Sequence, residues 1–393
     1  MINAFQAIAI LAHSPDMVAI RETLAPDRIL EDAIAIQQIP APTFAEGQRA
    51  AAIFQRFSQS GLEDVYQDDV FNVCGRWPGR DPSRPALLVS AHTDTVFPAG
   101  TDLTVRRAGE RVYGPGLGDN SLGVASLFAL LDIFQTRQIR PMADIWLAAN
   151  SREEGLGDLG GIRAIWDRLG DRLGAAIVIE GMALGRVYHA GIAVRRLRIV
   201  CRAPGGHSWL HFGQPSAVHG LIRLGAAITD FQPPAEPRTT YNIGLIHGGH
   251  SVNSLATQAE MYLDLRSEDP ASLAALEEEV WQAARQAERP NLSFSIDVVG
   301  DRPAGKIGAD HPLVRLATAA LDAIDQPVAY EKGSTDANVL LANGLPAVTI
   351  GISYGAHAHR LDEYIETAPI ANGIWQLLLL TLSAAEQLHT WGR

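Results

Sequence analysis

Four short runs of this chain are almost wholly apolar: residues 86–91, 143–149, 175–179 and 346–350. A strand with one wet face alternates apolar and polar residues. A strand without that alternation has to be covered on both sides, as parallel strands between two helical layers are. Helical spacing fills the gaps, over 122–134 and 161–169 among the first three runs, and over 312–324, 336–341 and 367–388 around the fourth. Upstream, 27–38 reads as an amphipathic helix ending at Ile39-Pro40. Thr43, with Glu46 three residues on, reads as a capping box that opens a second helix, which runs to about Ser60 and is stopped by Gly61. The pattern predicts an α/β fold, a mixed, mostly parallel sheet with helices on both faces.

The pattern changes near residue 192. Val194 to Arg202 alternates like a half-exposed strand; 215–229 is helical; 241–246 and 258–266 are strands; 272–288 is a helix and 292–298 a strand. That order, β-α-β-β-α-β, is the ferredoxin-like unit. The chain has 393 residues, more than the ~250–300 at which single cores stop growing. The expected organisation is an α/β catalytic domain in two parts, 1–191 and 304–393, interrupted by a small α+β domain over 192–303.

Composition narrows the functional classes. With 47% apolar and 19% charged residues the chain can bury a core. Lys and Arg number 32 against 44 Asp and Glu, a net charge of −12, so neither nucleic acid nor an anionic membrane is expected as a partner. Only Cys74 and Cys201 are present, in different contexts, which argues against a disulfide framework and for a reducing, cytoplasmic setting. Met1 to Ala12 is apolar, but no Lys or Arg precedes the run and Asp16 follows it, so it does not read as a signal peptide. No run approaches ~18 uninterrupted apolar residues, so no transmembrane helix is expected.

The apolar runs end in chemistry. His92-Thr93-Asp94 follows the first, and open α/β sheets place their sites at the carboxyl ends of strands. Alone, HxD is a polar strand end. Tyr113 to Asn120 is a Gly-rich turn whose Asp119 leads into a helix; with no strand directly before it and no Lys after it, it reads as a carboxylate corner able to bridge two cations rather than as a phosphate loop. Ser151-Arg152-Glu153-Glu154 follows the second run, and neighbouring carboxylates there repel unless a cation or proton offsets them. Glu180 ends the third run. After the fourth come His357 and His359, between which the residues alone do not choose. His92, Asp119, Glu154, Glu180 and one of those histidines form a mixed His/carboxylate donor set suited to zinc or another divalent first-row ion. One shared carboxylate would give each of two metals three protein ligands and leave open positions, with Glu153 beside them as general base.

At this point the residues match a known family. From Ile39-Pro40-Ala41-Pro42-Thr43 to Tyr364 the sequence resembles the co-catalytic zinc peptidases and deacylases that include glutamate carboxypeptidase, acetylornithine deacetylase, succinyl-diaminopimelate desuccinylase, aminoacylase and the peptidase-T-like tripeptidases. The resemblance implies that His92 and Glu180 hold one zinc, that Glu154 and His359 hold the other, and that Asp119 bridges them. His359 is preferred over His357 for its spacing from Glu363-Tyr364. It implies Asp94 as the residue orienting His92, Glu153 as base, and a cis peptide at Asp119-Asn120. In the inserted domain, Gly205-Gly206-His207 matches a lid histidine that acts on the scissile carbonyl across a dimer interface. Asn253, following Gly248-Gly249, and Arg266 in Asp264-Leu265-Arg266 match substrate-binding residues. Arg302 resembles a second carboxylate-binding arginine of the carboxypeptidase branch, and Ser334 lies in a loop, 333–337, that matches a substrate pocket of the peptidase branch. The chain departs from the family at Glu180, where several relatives carry Asp, and at 120–123, which lacks the Lys many relatives have there.

The expected protein is a di-zinc hydrolase, with cobalt or manganese as alternative metals, that cleaves an amide bond in a short peptide or N-acyl amino acid through a metal-bridging water activated by Glu153. It is expected to form a homodimer through 192–303. The alternatives are a biosynthetic N-acyl-amino-acid deacylase and a non-catalytic binding protein on the same fold.

Overall fold

The computed structural model describes residues 3–391 and divides the chain into two compact units, Met1–Gly191 with Gly305–Arg393, and Ile192–Ala304. The first is built on a nine-stranded sheet. Its path runs Glu63–Gln67, Val73–Trp77, Ile145–Asn150, Ala86–His92, Leu173–Glu180, Ala347–Gly351, Arg186–Gly191 and Gly305–Lys306, with Ala329–Gly333 paired to Arg186–Gly191. The four strands at the middle of this order are the four apolar runs, and they pair in parallel. Each is buried along nearly its whole length because helices cover both faces. The mostly parallel α/β class read from the sequence therefore holds.

One face packs on the helices Pro26–Gln37, Leu122–Thr136, Pro312–Asp322 and Ile370–Gln387. The other carries Gly160–Leu169 and Ala337–Ala342. Residues Leu117–Thr136 are long and apolar enough to cross a bilayer by composition, yet 83% of their most apolar 18-residue window is buried within the protein, the pattern of a core helix. At the N-terminus, Ala4–Ala12 forms a helix capped by reciprocal Asn3–Gln6 hydrogen bonds, with Ile8 buried in the core.

Two local features differ from the sequence reading. The capping box at Thr43 does not form. Phe44 takes a positive φ of 75°, the helix starts later as Gly47–Ser58, and both intended capping side chains are used elsewhere. The Thr43 hydroxyl donates to Asp94 Oδ2 at 2.8 Å, while Glu46 Oε1 accepts from the amides of Phe44 and Arg152, each at 3.1 Å. A second, four-stranded sheet of very short strands, Arg106–Ala108, Arg111–Tyr113, Tyr364–Glu366 and Gly355–Ala356, was not foreseen. It ties the segment carrying His357 and His359 to the hairpin that leads into Asp119.

The second unit is a four-stranded antiparallel sheet ordered Thr239–Gly248, Gln258–Ser267, Ala193–Arg202, Ser293–Arg302, with helices Ala217–Thr229 and Pro270–Ala287 packed on one face. Gln258–Ser267 alternates strictly; Ala259, Met261, Leu263 and Leu265 face the helices.

Candidate active site

The parallel strands bring their carboxyl ends together. His92 is the last residue of Ala86–His92, Glu180 the last of Leu173–Glu180, and Glu153 and Glu154 lie just beyond Asn150, which pairs in register with His92. Asp119 arrives from the turn that precedes Leu122–Thr136, and the Asp119–Asn120 peptide is cis. His359 comes from the loop beyond Ala347–Gly351.

Two donor triads result, and they share Asp119. In one, His92 Nε2 lies 3.0 Å from Asp119 Oδ1 and 3.7 Å from Glu180 Oε2. In the other, His359 Nε2 lies 3.0 Å from Glu154 Oε1 and 3.3 Å from Asp119 Oδ2. Within each triad the candidate ligand atoms lie within 4.8 Å of one another, and the same holds for His92, Glu153 and Glu154. His357 is turned away, 2.9 Å from Asp362 Oδ2 and edge-on to Tyr364.

The electrostatics are those of a site built for cations. Burial, and then the charge of Asp119, push Glu154 up to about 7; burial pushes Glu180 up to about 7. Burial alone would raise Asp119, but His359 and His92 outweigh it and hold its carboxyl well below the usual range. Hydrogen bonds to Asp119 and Glu154 push His359 up to about 10. Burial opposes charge on His92, yet Glu180, Asp119 and Asp94 outweigh it and raise its pKa. The residues fit a divalent metal on a further count. His92 Nδ1 donates to the Asp94 main-chain oxygen at 3.0 Å, which fixes the tautomer and leaves the Nε2 lone pair facing carboxylate oxygens. Lone pair against lone pair is repulsive unless a proton or metal lies between them, and mixed imidazole and carboxylate donors are what zinc and its neighbours take.

Four side chains hold these donors, and the sequence reading gave only Asp94 a role. The Asp94 carboxylate lies 3.6 Å from His92 Nδ1, but its hydrogen bonds come from the Thr43 hydroxyl and from the amides of Glu153 and Glu154, at 2.8 and 2.9 Å. Asp94 thus sets the backbone of the Glu pair as well as the His92 loop. Asn120 Nδ2 donates to Ile179 O at 2.6 Å and its Oδ1 accepts from Gly181 N, clamping the residues on either side of Glu180. Glu363, fully buried, accepts from the amides of Gly116, Gly118 and Asp119, and burial followed by the charge of Asp119 pushes it up to about 8. Arg49, also buried, donates to the carbonyls of Gln37, Ile39 and Thr93. A buried polar residue one turn from a strand-end motif is the only sequence signal for such supports, and it is too common to single them out.

The other expected site residues are not among these donor groups. Ser334 follows the strand Ala329–Gly333 in the first unit. His207, Asn253, Arg266 and Arg302 belong to the second unit. There, His207 pairs with Ser254 in a two-residue ladder and Ser208 N donates to Asn253 O at 3.0 Å, so His207 and Asn253 are neighbours. Arg266 Nε lies 2.6 Å from Asp264 Oδ2, whose Oδ1 takes Arg196 at 2.9 Å, and Arg302, buried, lies opposite the same residue, Val194, as Arg266 does.

Comparison with known proteins agrees with this architecture. Carboxypeptidase G2 of Pseudomonas sp. strain RS-16 is 25% identical over 337 residues, covering 80% of this chain and 78% of that protein. Acetylornithine deacetylase of Klebsiella pneumoniae strain 342 is 26% identical over 304 residues, covering 72% and 76%. In fold, the chain is similar to a tripeptidase from Staphylococcus aureus subsp. aureus Mu50, with a TM-score of 0.75, 20% identity and coverage of 93% and 100%. The sequence model of peptidase family M20/M25/M40 matches residues 88–382, a span that holds all five candidate ligands, and the chain accordingly belongs to that family of metal-dependent hydrolases acting on amide bonds.

Proposed function

We propose that this protein is a dinuclear metallohydrolase that cleaves an amide bond in a short peptide or an N-acyl amino acid. The observation that carries the reading is the pair of donor triads sharing Asp119. His92, Asp119 and Glu180 would hold one metal, and Glu154, Asp119 and His359 the other, with zinc the first candidate and cobalt or manganese the alternatives. When bound, such ions lower the pKa of water and polarise a carbonyl. Glu153, buried beside His92 and Glu154, takes a proton from the attacking water on its carboxylate and returns it to the leaving amine. Asp94 keeps Glu153 in place by accepting its amide N–H.

In the same reading the 192–303 domain acts as lid and dimerisation domain. His207 reaches the oxyanion of a partner subunit's substrate, with Asn253 and Ser334 as further substrate contacts. Arg266 and Arg302 grip a substrate carboxylate, since guanidinium binds carboxylate as a fork. We place the protein in the cytoplasm. The names of the two relatives above, a carboxypeptidase and a deacetylase, bracket the substrate class.

The test is amine release from dipeptides, tripeptides and N-acyl amino acids by protein stripped with chelator and reloaded with zinc, cobalt or manganese. Metal-restored cleavage is expected, and the preferred substrates separate peptidase from deacylase. No cleavage with any metal by the folded protein would sink the reading. Mixing His207→Ala with Glu153→Ala subunits should restore activity in mixed dimers if His207 acts across the interface.

A further inference from the structure

We propose that Asp336 is held as a neutral carboxylic acid paired by two hydrogen bonds with the Asn150 carboxamide, and that this pair positions the strand end that delivers Glu153 and Glu154. Asp336 immediately precedes the helix Ala337–Ala342, where an Asp would ordinarily cap the helix, yet its side chain makes no cap bond. It is fully buried and reaches instead to the end of Ile145–Asn150, where Asn150 Nδ2 donates to its Oδ2 at 2.7 Å. That is its one hydrogen bond among the described residues.

The remaining oxygen on each side, Asp336 Oδ1 and Asn150 Oδ1, is buried without a hydrogen-bond partner. Two orphaned acceptors on two side chains already joined at their other atoms have a simple resolution. A proton on Asp336 Oδ1 turns one acceptor into a donor and satisfies the other. An ionised Asp336 would leave both oxygens unsatisfied and bury a charge against a neutral amide, the costlier arrangement. Burial, followed by the Glu153 charge, favours the neutral form and outweighs the opposing charge of His92.

The pair sits where it can govern the site. Asn150 is the register partner of His92, and its main-chain oxygen accepts from both the amide and the hydroxyl of Thr93, at 2.7 and 3.0 Å. Three and four residues further on come Glu153 and Glu154. A neutral acid anchors this strand end without adding a further carboxylate charge near Glu153 and Glu180. The inference rests on the proposed function only for its catalytic consequence.

The experiment compares full-length wild type with Asp336→Asn, in metal-free and zinc-loaded forms at neutral pH, by infrared difference spectroscopy with carbon-13-labelled aspartate. A protonated-carboxyl band is expected in the wild type and lost in the variant. Because Asn preserves a neutral pair, zinc affinity should stay within about threefold of wild type. No lost carboxyl band, or a tenfold or larger change in zinc affinity, would overturn the neutral assignment; neither readout needs a substrate. For the positioning role, Asp336→Leu and Asn150→Leu should each lower kcat at least about tenfold with KM little changed, and the double variant should be no worse than either single one, as for coupled sites. Unchanged kcat in folded Leu variants, or additive losses, would overturn it.

Discussion

The carboxylates of the site differ in their work, and Glu153 has the most direct test. It lies beside both triads yet belongs to neither the His92–Asp119–Glu180 nor the Asp119–Glu154–His359 set. Glu153→Gln should therefore keep fold and metal content while losing about 10²–10⁴-fold in kcat, the usual contribution of a general base; bound metal measured beside kcat checks both halves. The pH dependence of metal binding follows from the shifts. Glu154 and Glu180 keep their protons to about 7 in the folded protein but only to the ordinary carboxyl range when unfolded. His359 keeps its proton to about 10. In each case the metal-free folded state binds more protons than the unfolded state, so its stability falls as pH rises from about 4.5 toward 10. A metal has to displace those protons, so affinity should climb with pH, roughly tenfold per unit for each proton released. Competition with a chelating dye at pH 6, 7 and 8 measures the slope, and a flat profile would refute it.

Elements were legible from the sequence where burial dictates composition. The run 86–91 became Ala86–His92 and 175–179 became Leu173–Glu180, because a strand covered on both faces has no polar position to blur its pattern. The Thr43–Glu46 box failed for a tertiary reason: Asp94 and the Arg152 amide compete for the same hydroxyl and carboxylate, and both lie more than fifty residues away in sequence. The strands at 106–108, 111–113, 355–356 and 364–366 are too short to show a period. The site followed the same division. Of its candidate donors, His92, Glu154 and Glu180 stand at or just beyond the ends of readable strands, whereas supports such as Asn120 and Glu363 are single polar residues whose partners only the fold reveals. Close packing of one element on the site gives a further prediction. A Cβ on Gly161, at the start of Gly160–Leu169, would stand 2.1 Å from the Ser151 carbonyl oxygen. Gly161→Ala must push the Ser151–Glu154 segment outward. It should cost about 1–3 kcal/mol of stability, as overpacking does, and weaken metal binding. Gly100→Ala, with nothing within 4 Å of the new atom, is the control. Thermal melts and metal titration of both variants decide it.

At the scale of the molecule, the two units should respond differently to metal. All five candidate ligands belong to Met1–Gly191 with Gly305–Arg393, and the unit Ile192–Ala304 supplies none. A ligand stabilises only the fold that binds it, by mass action. Chelation should therefore lower the stability of the first unit and leave the local stability of the second nearly unchanged. The chain carries its own reporters of this difference. Its two cysteines are both unbridged and buried, Cys74 in the first unit and Cys201 in the second. Burial pushes the Cys74 thiol up to about 12 and the Cys201 thiol up to about 11. The reactive species is the thiolate, so near pH 8 both are protonated and shielded in the folded protein, while an unfolded thiol with an ordinary pKa reacts readily. Labelling thus reads out opening, unit by unit. With zinc bound, both cysteines should label slowly. After chelation at moderate temperature or denaturant, Cys74 should label faster by an order of magnitude or more while Cys201 holds its rate, with peptide mass spectrometry assigning each adduct. Equal acceleration at both positions would mean that the units unfold as one cooperative body, with metal at the first stabilising the second.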